Sequence, residues 1–156
     1  GEGLGAPKKV SYLVSAGGAE TADYLALREA VRGKALLNSV ADQAFGADPA
    51  TGQVWGYEGR SQAAGSGTGS WDTSLRYATD HDDLVYRFTG LAAGTYTVHA
   101  GYYDPWPWAN RAAQISINDL VLEEPVASAA GLRRWSAAQR ALFRGTMKPS
   151  GGEPTT

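Results

Sequence analysis

The residues best suited to ligand chemistry are aromatic side chains outside the obvious strands. The sequence has five tryptophans and eight tyrosines, and several lie beside glycine- or proline-rich segments. Such rings stack on the apolar face of a pyranose, and neighbouring polar groups bond to its hydroxyls. Large aromatic side chains at a soluble surface usually mark a binding site. The sequence therefore predicts a carbohydrate-binding site formed by Trp55, Tyr57, Tyr102, Tyr103, Asp104, Trp106, Trp108, Asn110 and Arg111.

The densest aromatic group is stiffened by proline. Pro105 and Pro107 alternate with Trp106 and Trp108, and each proline fixes one backbone dihedral, which reduces the entropy lost on binding. In the alternative interpretation, both tryptophans fold inward and fill one end of the fold.

Catalytic chemistry has less support in the sequence. Glycoside hydrolysis requires two carboxylates about 5–9.5 Å apart, and Glu58 and Asp104 are acids near aromatic residues that could form such a pair. The only histidines, His81 and His99, do not follow a nucleophile-elbow motif, and there is no cysteine. We predict that the chain is not an enzyme. A hydrolase or lyase is the least favoured of three interpretations.

Charge and metal-ligand patterns exclude several partners. Sixteen acidic and fourteen basic residues give a net charge of −2, without the basic surface that nucleic acid requires, and no apolar run is long enough to cross a membrane. The adjacent Asp80, His81, Asp82 and Asp83 offer oxygen ligands for calcium but lack the spacing of a calcium loop. A solvated turn is the simpler interpretation, with calcium as a minor alternative. We predict no cofactor and no transition metal, since a matching set of histidine and cysteine ligands is missing.

The elements that must position the aromatic residues are mainly strands. From residue 71 onward, apolar and polar residues alternate, as in a strand with one buried face. Short strands separated by glycine and proline turns are typical of a β-sandwich. The fold class predicted is all-β, an antiparallel β-sandwich of jelly-roll type with one short helical insertion. The alternation further predicts inward-facing side chains at Tyr86, Phe88, Tyr96, Val98, Ile115 and Ile117.

The first half of the chain is less regular. Residues 9–15 are predicted as the first strand, and a helix is predicted to begin after Thr21 and to stop at Gly33. Residues 38–59 are predicted as one long functional loop, since glycine and proline interrupt them repeatedly. Residues 60–70 are predicted to be the most flexible part, because they carry little that can pack.

The domain limits follow from the two ends. Residues 1–8 have the composition of a linker, and residues 9–156 are predicted as one domain. Helix and strand compete over residues 135–143. Residues 142–147 have a strand pattern, and residues 149–152 have the pattern of a hairpin turn that no returning strand follows. We therefore predict that the chain is truncated in its last hairpin, or that another chain or domain supplies the partner strand.

Several motifs resemble a malectin-like domain, a lectin fold built as a β-sandwich. The resemblance covers residues 10–125. Its opening motif is a strand that runs into Asn-Ala-Gly-Gly, with Ser15 here in place of asparagine. The remaining motifs are an arginine–tyrosine strand, a Gly-x-Tyr-x-Val strand that ends in an aromatic pair, and a strand that closes on an Asn turn. They are found here at Arg76 and Tyr77, at Gly94, Tyr96, Val98, Tyr102 and Tyr103, and at Gln114 to Asn118.

The resemblance implies a function and a setting. Malectin-like domains bind glucose disaccharides through tyrosines, an aromatic pair and an acid in loops at one end of the sandwich. This implies Tyr102 and Tyr103 as the pair and Tyr57 as a facing aromatic. Residues 38–49, followed by Trp55 and Gly56, are similar to accessory domains of large bacterial glycoside hydrolases. The chain is therefore expected to be a non-catalytic carbohydrate-binding module of a secreted polysaccharide-degrading enzyme.

The expected partners are an oligosaccharide or polysaccharide and the neighbouring catalytic domain of the same parent protein. In the alternative interpretation, the domain is a structural accessory sandwich that braces the catalytic domain without binding sugar.

Overall fold

The computed structural model describes residues 10–31, 36–78, 83–102, 112–117, 120–127, 131–139 and 142–150, the last four segments by their backbone. It consists mostly of strands in antiparallel sheets, with one α-helix, as predicted. The helical elements are α1 (Ala22–Ala30) and a short 3-10 helix (Trp71–Thr73). The strands are β1 (Gly46–Ala47), β2 (Val54–Glu58), β3 (Ser61–Ala64), β4 (Leu75–Ala78), β5 (Leu84–Thr89), β6 (Gly94–Tyr102), β7 (Ala112–Ile117), β8 (Leu120–Ala127), β9 (Gly131–Gln139) and β10 (Leu142–Ser150).

The largest unit is a six-stranded sheet in the order β1-β2-β5-β10-β7-β8, and β3–β4 and β6–β9 form two further antiparallel pairs. In the large sheet, Gly145 lies opposite both Tyr86 and Ile117. Directly opposite residues share a face of the sheet, as do residues two apart along a strand. Phe88 therefore lies on the same face as Tyr86, as the alternation predicted. The inward orientation of Ile115 and Ile117 stays a prediction, because the structure describes β7 by its backbone alone.

The described core joins this face to β6. Leu91, which is 8% exposed, follows β5 and is packed against Phe88 of β5, against Tyr96 and Val98 of β6, and against Tyr12. The residues of β6 that alternate with Tyr96 and Val98 are exposed. The predicted inward orientation of Tyr96 and Val98 is therefore confirmed.

The N-terminal segment contains one confirmed and one wrong prediction. Helix α1 begins after Thr21, whose buried hydroxyl accepts a hydrogen bond from the backbone N–H of Tyr24. The strand predicted at residues 9–15 is not formed over the described residues 10–15. The side chain of Asn38, 1% exposed, donates to the carbonyl of Leu13 and accepts from its N–H. A side-chain amide thus satisfies the backbone groups that a neighbouring strand would otherwise pair.

Two segments predicted as loops contain strands. Residues 38–59 include the hairpin of β1 and β2, in which Gly46 lies opposite Trp55. Residues 60–70 include β3, which pairs with β4 along its whole length. The small, weakly patterned residues of β3 gave no alternation, so its backbone ladder was not predictable from local sequence. Over residues 135–143, where helix and strand competed, the described residues belong to β9 and β10.

Strand β10 contains residues 142–147, which the sequence predicted as a strand, and also Pro149 and Ser150, which it predicted as part of a turn. It pairs with β5 from Leu142 to Met147 and with β7 from Gly145 to Ser150. Both edges of β10 are therefore occupied by strands from earlier in the chain. The truncation of the chain in its last hairpin stays a prediction. Residues 1–9 lie outside the described residues, so the linker at residues 1–8 stays a prediction, as do the domain limits. Among the described helices, none has the length and apolar character needed to cross a membrane.

Candidate functional site

The nine predicted binding residues divide into two groups. Trp55 and Tyr57 lie on β2, and Tyr102 ends β6. The other six lie outside the described residues, namely Tyr103, Asp104, Trp106, Trp108, Asn110 and Arg111. Three members of the acidic calcium candidate, Asp80, His81 and Asp82, are also outside them. Within the described segments, no group of three or more acidic or histidine residues could hold a metal ion.

Trp55 is a core residue. Its side chain is 0% exposed, and its ring stacks against Phe88 at 6.2 Å and lies 6.0 Å from Tyr12. Its indole Nε1 donates to Asp48 at 3.0 Å. No face of this ring is available to a ligand, so the prediction that Trp55 belongs to the binding site is wrong. Because Trp55 lies opposite Phe88 in the β2–β5 ladder, it belongs to the buried face of the sheet.

Tyr57 is half-buried at the other end of β2, on the same face as Trp55. The guanidinium carbon of Arg76 lies 3.8 Å from the centroid of its ring. Tyr86, directly opposite in β5, meets the Tyr57 ring edge-on with centroids 6.2 Å apart. A guanidinium at this distance attracts the face of an aromatic ring electrostatically. One face of Tyr57 is therefore covered by a cation, and its orientation is limited by a second ring.

The carboxylate of Asp42 holds this group together. Its Oδ2 accepts hydrogen bonds from Arg76 Nε and from the backbone N–H of Gly17, both at 2.8 Å. Its Oδ1 accepts from the Tyr86 hydroxyl at 2.9 Å and from the backbone N–H of Gln43 at 3.0 Å. The side chains of Asp42 and Arg76 are 2% and 10% exposed. This is a buried ion pair whose carboxylate has four donors, so the cost of its burial is offset.

The same contacts shift two pKa values. Burial alone would lower the pKa of Arg76, but the hydrogen bond and charge of Asp42 raise it above its usual range. Burial raises the pKa of the Tyr86 hydroxyl strongly, and the charge of Asp42 raises it further. The guanidinium therefore stays charged and the phenol stays protonated at physiological pH. Neither group is suited to proton transfer there.

Gly17 is required where it meets β4. It has a φ of +97°, and a Cβ at this position would lie 2.5 Å from the carbonyl oxygen of Leu75. The Ser74 hydroxyl donates to the carbonyl of Ala16 at 2.7 Å, which ties the same two segments together. This close approach fixes the start of β4 and thereby the place from which Arg76 projects.

A second arginine lies on the other face of the sheet. Arg87, between Tyr86 and Phe88 in β5, places its Nε 3.1 Å from Glu58 Oε2, without the alignment of a hydrogen bond. Its guanidinium lies 5.2 Å from the centroid of Phe45. The side chains of Arg87 and Glu58 are 35% and 29% exposed. This pair resembles the Arg76 pair in composition but not in burial.

Asp48 is the most heavily bonded carboxylate of the described residues. It accepts from the backbone N–H and hydroxyl of Ser39, the backbone N–H groups of Ala50 and Thr51, and Trp55 Nε1. Burial would raise its pKa, but these hydrogen bonds hold it well below the ordinary range. The residue is 3% exposed. Asp48 therefore stabilises the β1–β2 hairpin and is not accessible to substrate.

Sequence reasoning did not find the cluster of Asp42, Arg76, Tyr86 and Gly17. Asp42 and Arg76 are 34 positions apart, and no local pattern predicts that they meet. A signal existed in the resemblance, because its opening motif contains Gly17, its arginine–tyrosine strand contains Arg76, and the segment similar to accessory domains contains Asp42. The structure brings these three segments together at the carboxylate of Asp42.

Comparisons with protein-family models, with curated proteins and with solved structures each gave no match for this chain.

Proposed function

We propose that this protein is a non-catalytic carbohydrate-binding module with a malectin-like β-sandwich fold of jelly-roll type. In this proposal, the six-stranded sheet forms one layer and the β6–β9 pair belongs to the other. The packing of Leu91 against Phe88 of the first sheet and against Tyr96 and Val98 of β6 supports this arrangement. The convergence of the family-like motifs on Asp42 supports it as well.

The observation that carries the proposed function is the strand register at the Tyr57 end of the large sheet. Both β5 and β7 are antiparallel to β10, so they run in the same direction. Ala112, where β7 begins, therefore lies at the same end of the sheet as Leu84, where β5 begins. Glu58, where β2 ends, lies opposite Val85 at this end. The chain from Tyr102 to Ala112 therefore returns to the large sheet at the end where Tyr57 lies, with β5 and β10 between β7 and β2.

The position of Ala112 favours one shared binding site. The segment between Tyr102 and Ala112 contains most of the predicted sugar-binding residues, and Ala112 lies at the same end of the large sheet as Tyr57. Stacking contacts contribute roughly 1 kcal/mol each, by analogy with aromatic pairs. Two or three of them with hydrogen bonds correspond to micromolar-to-millimolar affinity, since 1 mM equals about −4 kcal/mol. Such affinities suit a module that holds an enzyme near a polymer.

The setting of the module is part of the same proposal. The resemblance favours a secreted polysaccharide-degrading enzyme, in which the module binds an oligosaccharide or polysaccharide and adjoins the catalytic domain. It needs no cofactor for stacking and hydrogen bonding. In the described residues, Asp42 and Asp48 are buried in hydrogen bonds, which favours a non-catalytic role for them.

The test is a glycan array with the purified chain, followed by calorimetry with the glycan it selects. Trp106→Ala and Tyr103→Ala should abolish detectable binding while the melting temperature stays nearly unchanged. Tyr96→Phe is the matched control, because that hydroxyl donates to the carbonyl of Ala92, near the β5–β6 turn and far along β6 from Tyr102. It should bind normally.

Two results would contradict the proposal. If Trp106→Ala and Tyr103→Ala melt much earlier but bind normally per folded molecule, the rings are core residues and the structural accessory function is favoured. If the purified protein turns over a glycan after contaminating enzymes are removed, the non-catalytic assignment is wrong.

A further inference from the structure

We infer that Arg76, held by Asp42, is a positioning residue that makes Tyr57 a one-sided, pre-oriented stacking surface for a single sugar ring. This inference rests on the proposed carbohydrate-binding function and names the residues that prepare one part of the site.

The first step is the contact between Arg76 and Tyr57. With the guanidinium carbon 3.8 Å from the ring centroid, no sugar can occupy that face of Tyr57. The edge-on contact with Tyr86 limits rotation of the ring on a second side. Tyr57 is nevertheless partly exposed. A ligand can therefore stack on Tyr57 only from the side opposite Arg76.

The second step is the fixation of Arg76 itself. Its Nε donates to Asp42 at 2.8 Å, and one terminal nitrogen donates to the Ser61 hydroxyl at 3.2 Å. Two anchors on a planar group fix its plane as well as its position. Asp42 is in turn held by the backbone N–H of Gly17. Arg76 is therefore a fixed group against which the ring of Tyr57 rests.

The consequence is a smaller entropy loss when the ligand binds. A free aromatic side chain must be immobilised on binding, whereas Tyr57 is already held. If Tyr57 were no longer held in place, the entropy cost of immobilising it would weaken sugar binding about threefold to tenfold. Lysine at position 76 would keep the positive charge beside Asp42 but lose the planar contact and the two-point anchor.

The experiment measures glycan affinity by calorimetry for the wild type, Arg76→Lys, Tyr57→Leu and Arg87→Lys. Arg87→Lys is the matched control, because Arg87 also lies over an aromatic ring and beside a carboxylate, but on the other face of the sheet. We expect weaker binding for Arg76→Lys and Tyr57→Leu, no change for Arg87→Lys, and no further loss when Arg76→Lys is added to Tyr57→Leu.

A spectroscopic measurement separates positioning from general stability. In protein with ¹³C-labelled tyrosine, the Tyr57 signals are assigned by their loss in Tyr57→Phe. Arg76→Lys should speed the flipping of the Tyr57 ring, and Arg87→Lys should not. If Arg76→Lys does not fold, wild-type affinity of Tyr57→Leu would still overturn the inference, because this variant leaves the Asp42–Arg76 pair intact.

The outcomes distinguish the two proposals. A folded Arg76→Lys or Tyr57→Leu variant with wild-type affinity overturns the inference, and if Tyr103→Ala abolishes binding in the same assay, the proposed function stands. A wild-type chain that binds no glycan on the array overturns both.

Discussion

Replacing Asp48 with asparagine should strongly destabilise the fold, although the two side chains have almost the same shape. Asp48 Oδ1 accepts three hydrogen bonds, from the Ser39 hydroxyl and from the backbone N–H groups of Ala50 and Thr51. Its Oδ2 accepts two, from the backbone N–H of Ser39 and from Trp55 Nε1. An asparagine oriented to keep the three bonds would direct its amide N–H groups at the other two donors.

The magnitude follows from those two donors. Each buried donor that loses its acceptor costs about 1–3 kcal/mol, so Asp48→Asn should lower the free energy of unfolding by about 2–6 kcal/mol. Trp55 is fully buried and has no route to solvent for its Nε1. The measurement is urea unfolding at pH 7, followed by tryptophan fluorescence. Asp83→Asn, at an exposed position, is the control and should change stability little.

The same reasoning predicts a pH dependence. Because the folded-state pKa of Asp48 is lowered, its ionised form contributes stability that is present above the unfolded pKa of about 4 and is lost as the pH falls through the folded value. Wild-type stability should therefore fall progressively as the pH drops below about 5, and Asp48→Asn should lack this component. A variant that unfolds within 0.5 kcal/mol of the wild type, about the spread of neutral surface substitutions, would refute the assignment of Asp48 as a structural anion.

Three further predictions concern single contacts. Gly56→Ala should lower the free energy of unfolding by more than about 1 kcal/mol, because Gly56 has a φ of +138° and a Cβ there would lie 2.5 Å from the carbonyl oxygen of Gln43. Gly59→Ala is also strained, but its Cβ would meet no atom within 4 Å, so it should lower stability less in the same urea assay. Equal losses for the two variants would argue against the clash. Thr21→Ala should lower stability by about 1 kcal/mol through loss of the α1 N-cap, with Thr21→Ser expected to restore it in thermal melts. Burial, aided by a nearby aspartate, raises the pKa of Tyr12 to about 12. The stability that its protonated hydroxyl contributes is therefore complete below about pH 10 and is lost as the pH rises towards about 12. Absorbance at 295 nm should detect this late ionisation, and a normal tyrosine titration would contradict the prediction.

The sequence was most informative where structure is local or has a short period. The alternation around Phe88 and Val98 predicted the buried face, because the side chains of a strand alternate with a period of two. The Thr21 cap was predictable for the same reason, since its hydrogen-bond partner is three residues away. Antiparallel sheets with one helix are therefore predictable from the sequence.

Long-range pairing was not predictable in this way. Trp55 was predicted to lie at the surface because glycine and proline surround it in the sequence. In the structure it lies on β2, after the hairpin turn that begins at Asp48, and its side chain is on the buried face of the sheet. The side chain of Asn38 pairs with the backbone of Leu13 in place of a neighbouring strand, and no periodic pattern in the sequence predicts this contact. The meeting of Asp42 and Arg76 depends on the approach of Gly17 to β4, a contact between residues far apart in the sequence.

The position of β10 in the sheet has a consequence for how the protein folds. Its pairs with β5 join residues separated by more than fifty positions, from Thr89–Leu142 to Leu84–Met147. Contacts of this range slow folding, because a large chain segment must be ordered before they form. During synthesis, the edges of β5 and β7 stay open until β10 leaves the ribosome. Unpaired strand edges can pair with other chains, so we expect the nascent chain to be most prone to aggregation over this interval.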